Sequence, residues 1–354
     1  MRENKGMNGL KRSRLIEILE SIKSLDVAVI GDYALDVYWY ADMTLSELSR
    51  ETPHYTRPII REAYSPGASG NICCNVKDLG VRKVFAVTVL GRDWRGQILM
   101  DKLREKGVLL NHVITSSERV TSTYIKPILC GFDSQQEDSR LDFINYHPLS
   151  EDLESQILSE IQAVVSSVDV LIIEDQMTQN GIITDNIREV LIKTAEENPE
   201  KIFIADSRRN IGSFKNMVLK PNKMEAVKAI DQSRDPSTVT EEEIIEIGRE
   251  LQKRAKRPVY ITLSSEGALL ITKSGFEKIP AVRTEPPIDP VGAGDTFIAA
   301  AGASLAAGAT PLEAGIIANL AASVVIKKLN ITGTASPREI LGRFDEVSRG
   351  DEWP

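Results

Sequence analysis

Asp289-Pro290-Val291-Gly292-Ala293-Gly294-Asp295-Thr296-Phe297 has the grammar of a loop feeding a helix. Gly292 and Gly294 flank one alanine and leave the backbone free to present N–H groups. An apolar, alanine-rich run follows, so a helix start adds unpaired N–H donors and a partial positive charge. Together they make an anion site, most simply for a phosphate. Asp295 stands at its mouth. A carboxylate beside a phosphate cradle is costly unless it does chemistry. Its natural task is to take a proton from a hydroxyl that attacks the phosphate. The plainer alternative is an acidic first-turn residue after a tight turn.

The rest of the chain bounds this reading. Its 354 residues suffice for one large α/β domain or two small ones. With 42% hydrophobic and 27% charged residues, the composition is ordinary for a globular protein. The net charge of −8 leaves no basic footprint for nucleic acid. No apolar run approaches ~18 residues, so no membrane span or membrane partner is expected. Residues 1–14 are polar and lack an apolar signal core. Cys73, Cys74 and Cys130 have no metal-ligand spacing and read as buried thiols, which fits a reducing cytoplasm.

Along the chain, residues 27–30 read as a buried strand whose carboxyl end presents Asp32, with Asp36 four residues on. Ligands of open parallel sheets sit outside such ends, so both acids are placed to grip a polyol. Residues 37–65 are aromatic and proline-marked, and read as edge strands outside the main sheet. Ser65-Pro66-Gly67-Ala68-Ser69-Gly70-Asn71 is a second small-residue loop that opens a helix. In it Gly67 and Asn71 are candidates for close approach to a ligand. Residues 120–146 read as a hairpin with a polar tip. From residue 149 on, helix and strand alternate, and helices at 293–307 and 312–328 close the domain. This predicts an α/β fold: a doubly wound, mostly parallel sheet covered by helices on both faces. Residues 1–36, 66–119 and 147–354 form the core, and 37–65 with 120–146 form a small β lid. Neither a Walker A pattern nor an early G-x-G-x-x-G is present, which argues against a P-loop ATPase and a dehydrogenase.

Three stretches carry a resemblance to one family. Asp289 to Thr296 resembles the D-x-x-G-A-G-D signature of the ribokinase/PfkB sugar kinases. Pro66 to Asn71 is similar to that family's N-terminal glycine signature, and Asn222-Lys223-Met224-Glu225 matches its N-x-x-E motif. The resemblance implies a ribokinase-like fold, ATP and Mg²⁺. It implies Asp295 as the general base and Gly292, Ala293 and Gly294 as the anion hole. Asn222 and Glu225 would place the ATP phosphates and Mg²⁺, Glu225 reaching the metal through water. Ser264 to Gly267 resembles the nucleotide loop, with Ser264 in place of the usual glycine. Asn319 and Ser323 resemble positions lining the adenine pocket. Asp289 resembles a ligand of the monovalent cation, K⁺, seen in many members. A non-catalytic sugar- or nucleotide-sensing member is the competing class, and the intact Asp295, Asn222 and Glu225 argue against it.

Gly31 to Tyr40, Arg140 to Phe143 and Lys327-Lys328-Leu329 look like the heptose-7-phosphate kinase domain of ADP-heptose synthesis. That resemblance implies 1-phosphorylation of D-glycero-D-manno-heptose 7-phosphate. Asp32, Asp36, Gly67 and Asn71 would contact the sugar, and Lys126 and Arg140 its 7-phosphate. Other sugars, sugar phosphates or nucleosides are the alternative acceptors. Ala68 stands where the family's second glycine is usual and Gly70 where an alanine is usual, and 46–54 departs from the expected segment. The lid is expected to expose Trp39 and Tyr40 and to pair with a second subunit as a homodimer.

Overall fold

Val27, Val29, Val170 and Ile172 pack into one apolar cluster, while Ala28, Ile30, Leu171 and Ile173 pack into another. Successive side chains of a strand point to opposite faces, so these two strands are buried on both sides. The computed structural model describes residues 9–329 and 332–349. Of the polar stretch 1–14, residues 1–8 lie outside them.

The first half of the chain runs α1 (Arg12–Ile22), β1 (Asp26–Gly31), β2 (Tyr33–Asp42), β3 (Ile59–Ala68), α2 (Ser69–Asp78), β4 (Lys83–Gly91), α3 (Trp94–Glu105) and β5 (Leu109–Ser116). Then follow β6 (Ser122–Gly131), β7 (Ser134–Glu137), β8 (Leu141–Phe143), α4 (Glu151–Val165), β9 (Val170–Asp175), α5 (Asp185–Glu197), β10 (Ile202–Ser207) and β11 (Val218–Leu219). The chain continues through α6 (Lys223–Ile230), α7 (Glu241–Ala255), β12 (Val259–Thr262), β13 (Ala268–Thr272), β14 (Gly275–Ile279), α8 (Ala293–Ala306), α9 (Pro311–Val325) and α10 (Pro337–Arg349).

Among the described residues the main sheet has nine strands in the order β14-β13-β12-β11-β10-β9-β1-β4-β5. From β12 to β5 every pair is parallel, and β13 and β14 add an antiparallel edge. The chain winds outward from β1 to β5, then returns to start β9 beside β1. The carboxyl ends of β1 and β9 are thus the switch point where such sheets bind ligands.

A smaller sheet has the order β3-β2-β6-β7, with β8 also on β6. Its central pair, β2 with β6, is parallel. The small sheet begins earlier than the sequence suggested: β2 starts at Tyr33 and β3 runs on to Ala68. Leu35 and Val37 are buried in the main apolar cluster, so sheet pairing begins as soon as the chain turns at Asp32. Asp36 and Gly67 therefore stand on strands of the small sheet. Phe132 and Asp133 have φ of 47° and 63°, the left-handed pair a two-residue hairpin turn between β6 and β7 demands.

Two expectations are corrected. The domain does not close at residue 328, because α10 follows and buries Ile340, Phe344 and Val347. Their spacing is that of an amphipathic helix and is present in the sequence. Nor do Trp39 and Tyr40 form an exposed face. Tyr40 is 9% exposed under the Arg61 guanidinium, 3.5 Å from its ring centre, and Trp39 packs partly buried against the core.

Candidate active site

α8 starts at Gly292, with φ 81° and ψ −2°, and has no side-chain cap. The neighbouring helices α6, α7 and α9 are closed by Asn222, Thr240 and Thr310 in reciprocal capping boxes. Ala293 N donates to the Pro290 carbonyl at 3.2 Å, and no side chain caps the other first-turn amides of α8, which suits them to a ligand. Asp295 lies in this first turn, partly buried, and its Oδ2 accepts a hydrogen bond from Asn71 Nδ2 at 2.7 Å. Asn75 Nδ2 donates to Asn71 Oδ1, and Thr296 Oγ1 donates to Asn75 Oδ1 at 2.8 Å. This chain locks α2 against α8 and aims Asn71 at the carboxylate. Burial pushes the Asp295 carboxyl up to about 6, with Asn71 and Lys220 lowering it and Asp206 and Asp36 raising it. A base with that pKa is charged at neutral pH and still a competent proton acceptor.

Lys220, 4% exposed, follows β11 and pairs with Asp206 Oδ2 at 2.5 Å. A Cβ on Gly294 would lie 3.5 Å from Lys220 Nζ, so the ammonium abuts the glycine loop. Burial opposes the lysine's charge, but Asp206, Glu225 and Glu174 outweigh it and hold its pKa above the ordinary value. Glu174, at the end of β9, is buried, and its Oε2 has no hydrogen-bond partner. Burial first, then Asp206 and Asp295, push its carboxyl well up. Burial and Asp206 raise Glu225 to about 7, against Lys220. Glu174, Asp206 and Lys220 were not among the residues expected from sequence. Their signal was positional: each ends, or directly follows, a strand of the parallel sheet on the ligand side.

On the small sheet, Asp36 stands abreast of Tyr124 across the β2–β6 pair, and Tyr38 abreast of Lys126. Lys126 Nζ donates to Tyr38 Oη at 3.4 Å, and the Arg140 guanidinium stacks 4.6 Å from the Tyr124 ring centre while pairing with Asp142. Burial raises the Asp36 carboxyl, and Lys126 and Arg140 oppose that rise. Gly67 touches the same carboxylate, since a Cβ there would stand 2.7 Å from Asp36 Oδ2. Asp32 is placed differently. It is 4% exposed, and its two oxygens accept the backbone amides of Met177 and Ile182, each at 2.8 Å.

At the start of α6, Asn222 and Glu225 cap one another: Asn222 Oδ1 accepts Glu225 N and Glu225 Oε2 accepts Asn222 N. Asn222, Ser264 and Met224 line a cavity of about 700 Å³ beside the 262–267 loop, a volume in the range of small-molecule sites. Asn319 and Ser323 are not on it. Asn319 Nδ2 donates to the Ile279 and Pro280 carbonyls, and Ser323 Oγ receives Arg343 Nε at 3.4 Å. Gly267 ends the loop, and Asp289 Oδ1 accepts Val291 N at 3.0 Å just ahead of the glycines. Among the described residues no group of three or more His, Cys, Asp or Glu is arranged to hold a metal ion.

Two residues at this site hold glycine-like backbones. Ala68 has φ 51° and ψ −129°, and Ser264 has φ 54°. Ala68→Gly should raise stability by about 1 kcal/mol, the strain relief exceeding the extra freedom of the unfolded chain. A denaturant midpoint that stays put or falls would contradict this.

An uncapped helix start, a buried lysine beside it and an acid with a raised pKa are groups that phosphoryl transfer calls on. A family model described as pfkB family carbohydrate kinase matches residues 26–338. The chain belongs to that family and is a phosphotransferase with an alcohol group as acceptor. Among curated proteins it is similar to the bifunctional protein HldE of Pelobacter propionicus, 28% identical over 334 residues, covering 94% of this chain and 66% of that protein. The HldE of Geobacter metallireducens is 28% identical over 337 residues, again at 94% and 66%. The chain thus spans slightly under two thirds of these relatives' length. Among solved structures, Arabidopsis thaliana ribokinase complexed with ribose and ATP matches with TM-score 0.66 and 19% identity, covering 91% of this chain and 99% of that one. Escherichia coli phosphofructokinase-2 in complex with potassium matches with TM-score 0.69 and 18% identity, at 92% and 100%. These likenesses show a ribokinase-like fold. No helix among the described residues is long and apolar enough to cross a membrane.

Proposed function

We propose that this sugar kinase moves the γ-phosphoryl group of ATP onto the 1-hydroxyl of D-glycero-D-manno-heptose 7-phosphate. The observation that carries the acceptor class is the basic pair Lys126 and Arg140 on the face that holds Asp36. A sugar that already bears a phosphate fits two cations there, and HldE proteins are the relatives found at 28% identity. Asp36 and Asn71 orient the sugar. Asp295 takes the proton of the attacking hydroxyl as its oxygen bonds to phosphorus and the bond to the ADP oxygen breaks. The amides of Gly292, Ala293 and Gly294, with Lys220 Nζ, hold the charge on the group in transit. Glu225, whose Oε2 accepts Asn222 N, would hold Mg²⁺ through water. Mg²⁺ supplies charge neutralisation on the phosphates. Ser264 and Gly267 border the nucleotide, and Asp289 with K⁺ would stiffen the glycine loop.

A coupled ADP-release screen over sugars and sugar phosphates tests the acceptor. Turnover is expected to be fastest with heptose 7-phosphate. Absence of turnover with every phosphorylated acceptor would overturn the reading.

The pH profile follows from the base. Protonated Asp295 cannot accept a proton, so kcat/KM should rise with pH through an apparent pKa near 6. A flat profile between about pH 5 and 8 would contradict the assignment.

The small sheet also supports the dimer. Ile59 and Ile60 on the outer strand β3 and Phe132 at the hairpin tip are exposed. An edge strand with apolar side chains invites pairing with a second copy. Sedimentation should give a dimer at micromolar concentration, and Ile60→Glu should shift it toward monomer. A wild-type monomer would count against the interface.

A further inference from the structure

We propose that Asp32 is a positioning residue for the acceptor side, acting through the segment 177–182 on Tyr124 and Arg140 of the small sheet. The proposal rests on the reading that Arg140 faces the acceptor.

The contacts form one continuous line. Asp32 Oδ2 accepts Met177 N and Oδ1 accepts Ile182 N, both at 2.8 Å, which closes a loop around a single carboxylate. The fit leaves no slack: a Cβ on Gly181 would stand 2.7 Å from Asp32 Oδ2. Met177 Sδ then receives the Tyr124 hydroxyl at 3.4 Å. Tyr124 carries the Arg140 guanidinium on its ring and stands abreast of Asp36. The same segment is pinned from its other side. Arg119, 7% exposed, donates to the Asn180 carbonyl at 2.6 Å and to the His147 carbonyl at 3.0 Å. Asn180 Nδ2 donates to the Asn145 carbonyl, and Asn145 bonds the backbone of Val120 through both its amide atoms. Residues 118–120 and 145–147 belong to two of the stretches that join the small sheet to the core. The 177–182 segment is therefore a pedestal that ties the end of β1 to the base of the small sheet. A carboxylate suits this role, since each of its oxygens accepts one amide without a competing donor. An amide in its place presents one NH₂ group to a backbone N–H and releases one end of the loop.

Amide hydrogen exchange and steady-state kinetics on the full chain test this. In Asp32→Asn, exchange should rise about tenfold or more at 177–182 and also at 122–126 and 140–143, with the main sheet still protected. Acceptor KM should rise about tenfold, with kcat within about threefold and ATP KM unchanged, a split that a purely structural role would not produce. Tyr124→Phe, which keeps the packing and deletes only the hydroxyl, should raise acceptor KM about threefold, and combined with Asp32→Asn less than the product of the two. Faster exchange confined to 177–182, with 122–126 and 140–143 unchanged, overturns the proposal whatever the acceptor is. Arg140→Gln separates the two ideas. If it leaves acceptor KM unmoved, the reading of Arg140 fails, while the exchange pattern still decides the relay.

Discussion

Asp295→Asn is expected to lower kcat by about 10²–10⁴-fold while ATP binding stays close to wild type. The substitution keeps the shape of the side chain and the contact with Asn71 on one oxygen. It removes the only role that explains a carboxylate at a helix start built to hold an anion. The charge itself is unfavourable there for stability. The carboxyl titrates at about 6 when folded against an ordinary 3.8, so the folded state binds its proton more tightly. By linkage this costs stability progressively as pH rises from the lower value to the higher. The variant should therefore fold at least as well as wild type near neutral pH, which separates lost chemistry from lost structure. Calorimetric ATP binding and a stopped assay read the two arms. Activity above about a tenth of wild type would sink the general-base assignment.

Lys220→Met is expected to hurt both activity and stability. Loss of one charged donor to the group in transit should cost roughly 2.7–4 kcal/mol in the transition state, about 10²–10³-fold in rate. Removing one partner of a buried pair typically costs about 3–5 kcal/mol of stability, because Asp206 and Glu174 are left without their counter-charge. The pH dependence has a definite sign. In the wild type, Glu225 titrates at about 7 when folded against an ordinary 4.5, so stability from this group falls as pH rises across that window. Without the lysine the buried acids hold their protons to higher pH still. The stability deficit of the variant should shrink on acidification toward the lower value and grow above the higher one. Denaturation midpoints measured across that range check this. A deficit independent of pH would mean that Lys220 does not neutralise the cluster.

The repeated strand-helix pattern made the main sheet legible, because fully buried parallel strands read as continuous apolar runs. The glycine loop was legible for a similar reason: Gly292, Gly294 and Asp295 lie within four successive residues, and their conformational demand is local. The cluster under the loop was not. Glu174, Asp206 and Lys220 come from three separate strand ends and meet only through the register of β9, β10 and β11. Asp32 illustrates the opposite limit. Its position after the first strand marks it as a ligand-facing acid, yet what it faces is the backbone of residues 177–182, far along the chain. Asn222 and Glu225 match a motif whose spacing also makes a capping box, so the local helix signal and the functional one coincide. The parallel pairing of β2 with β6 is invisible locally, since nothing in either strand names its partner.

Transfer of a phosphoryl group to a sugar hydroxyl at Asp295 can be followed directly. The direct measurement is a single-turnover reaction of the full chain with γ-labelled ATP, Mg²⁺ and heptose 7-phosphate. The label is expected to move to the sugar in wild type and to stay on ATP in Asp295→Asn. Label recovered only as inorganic phosphate or on the protein, or transfer undiminished in the variant, would contradict it.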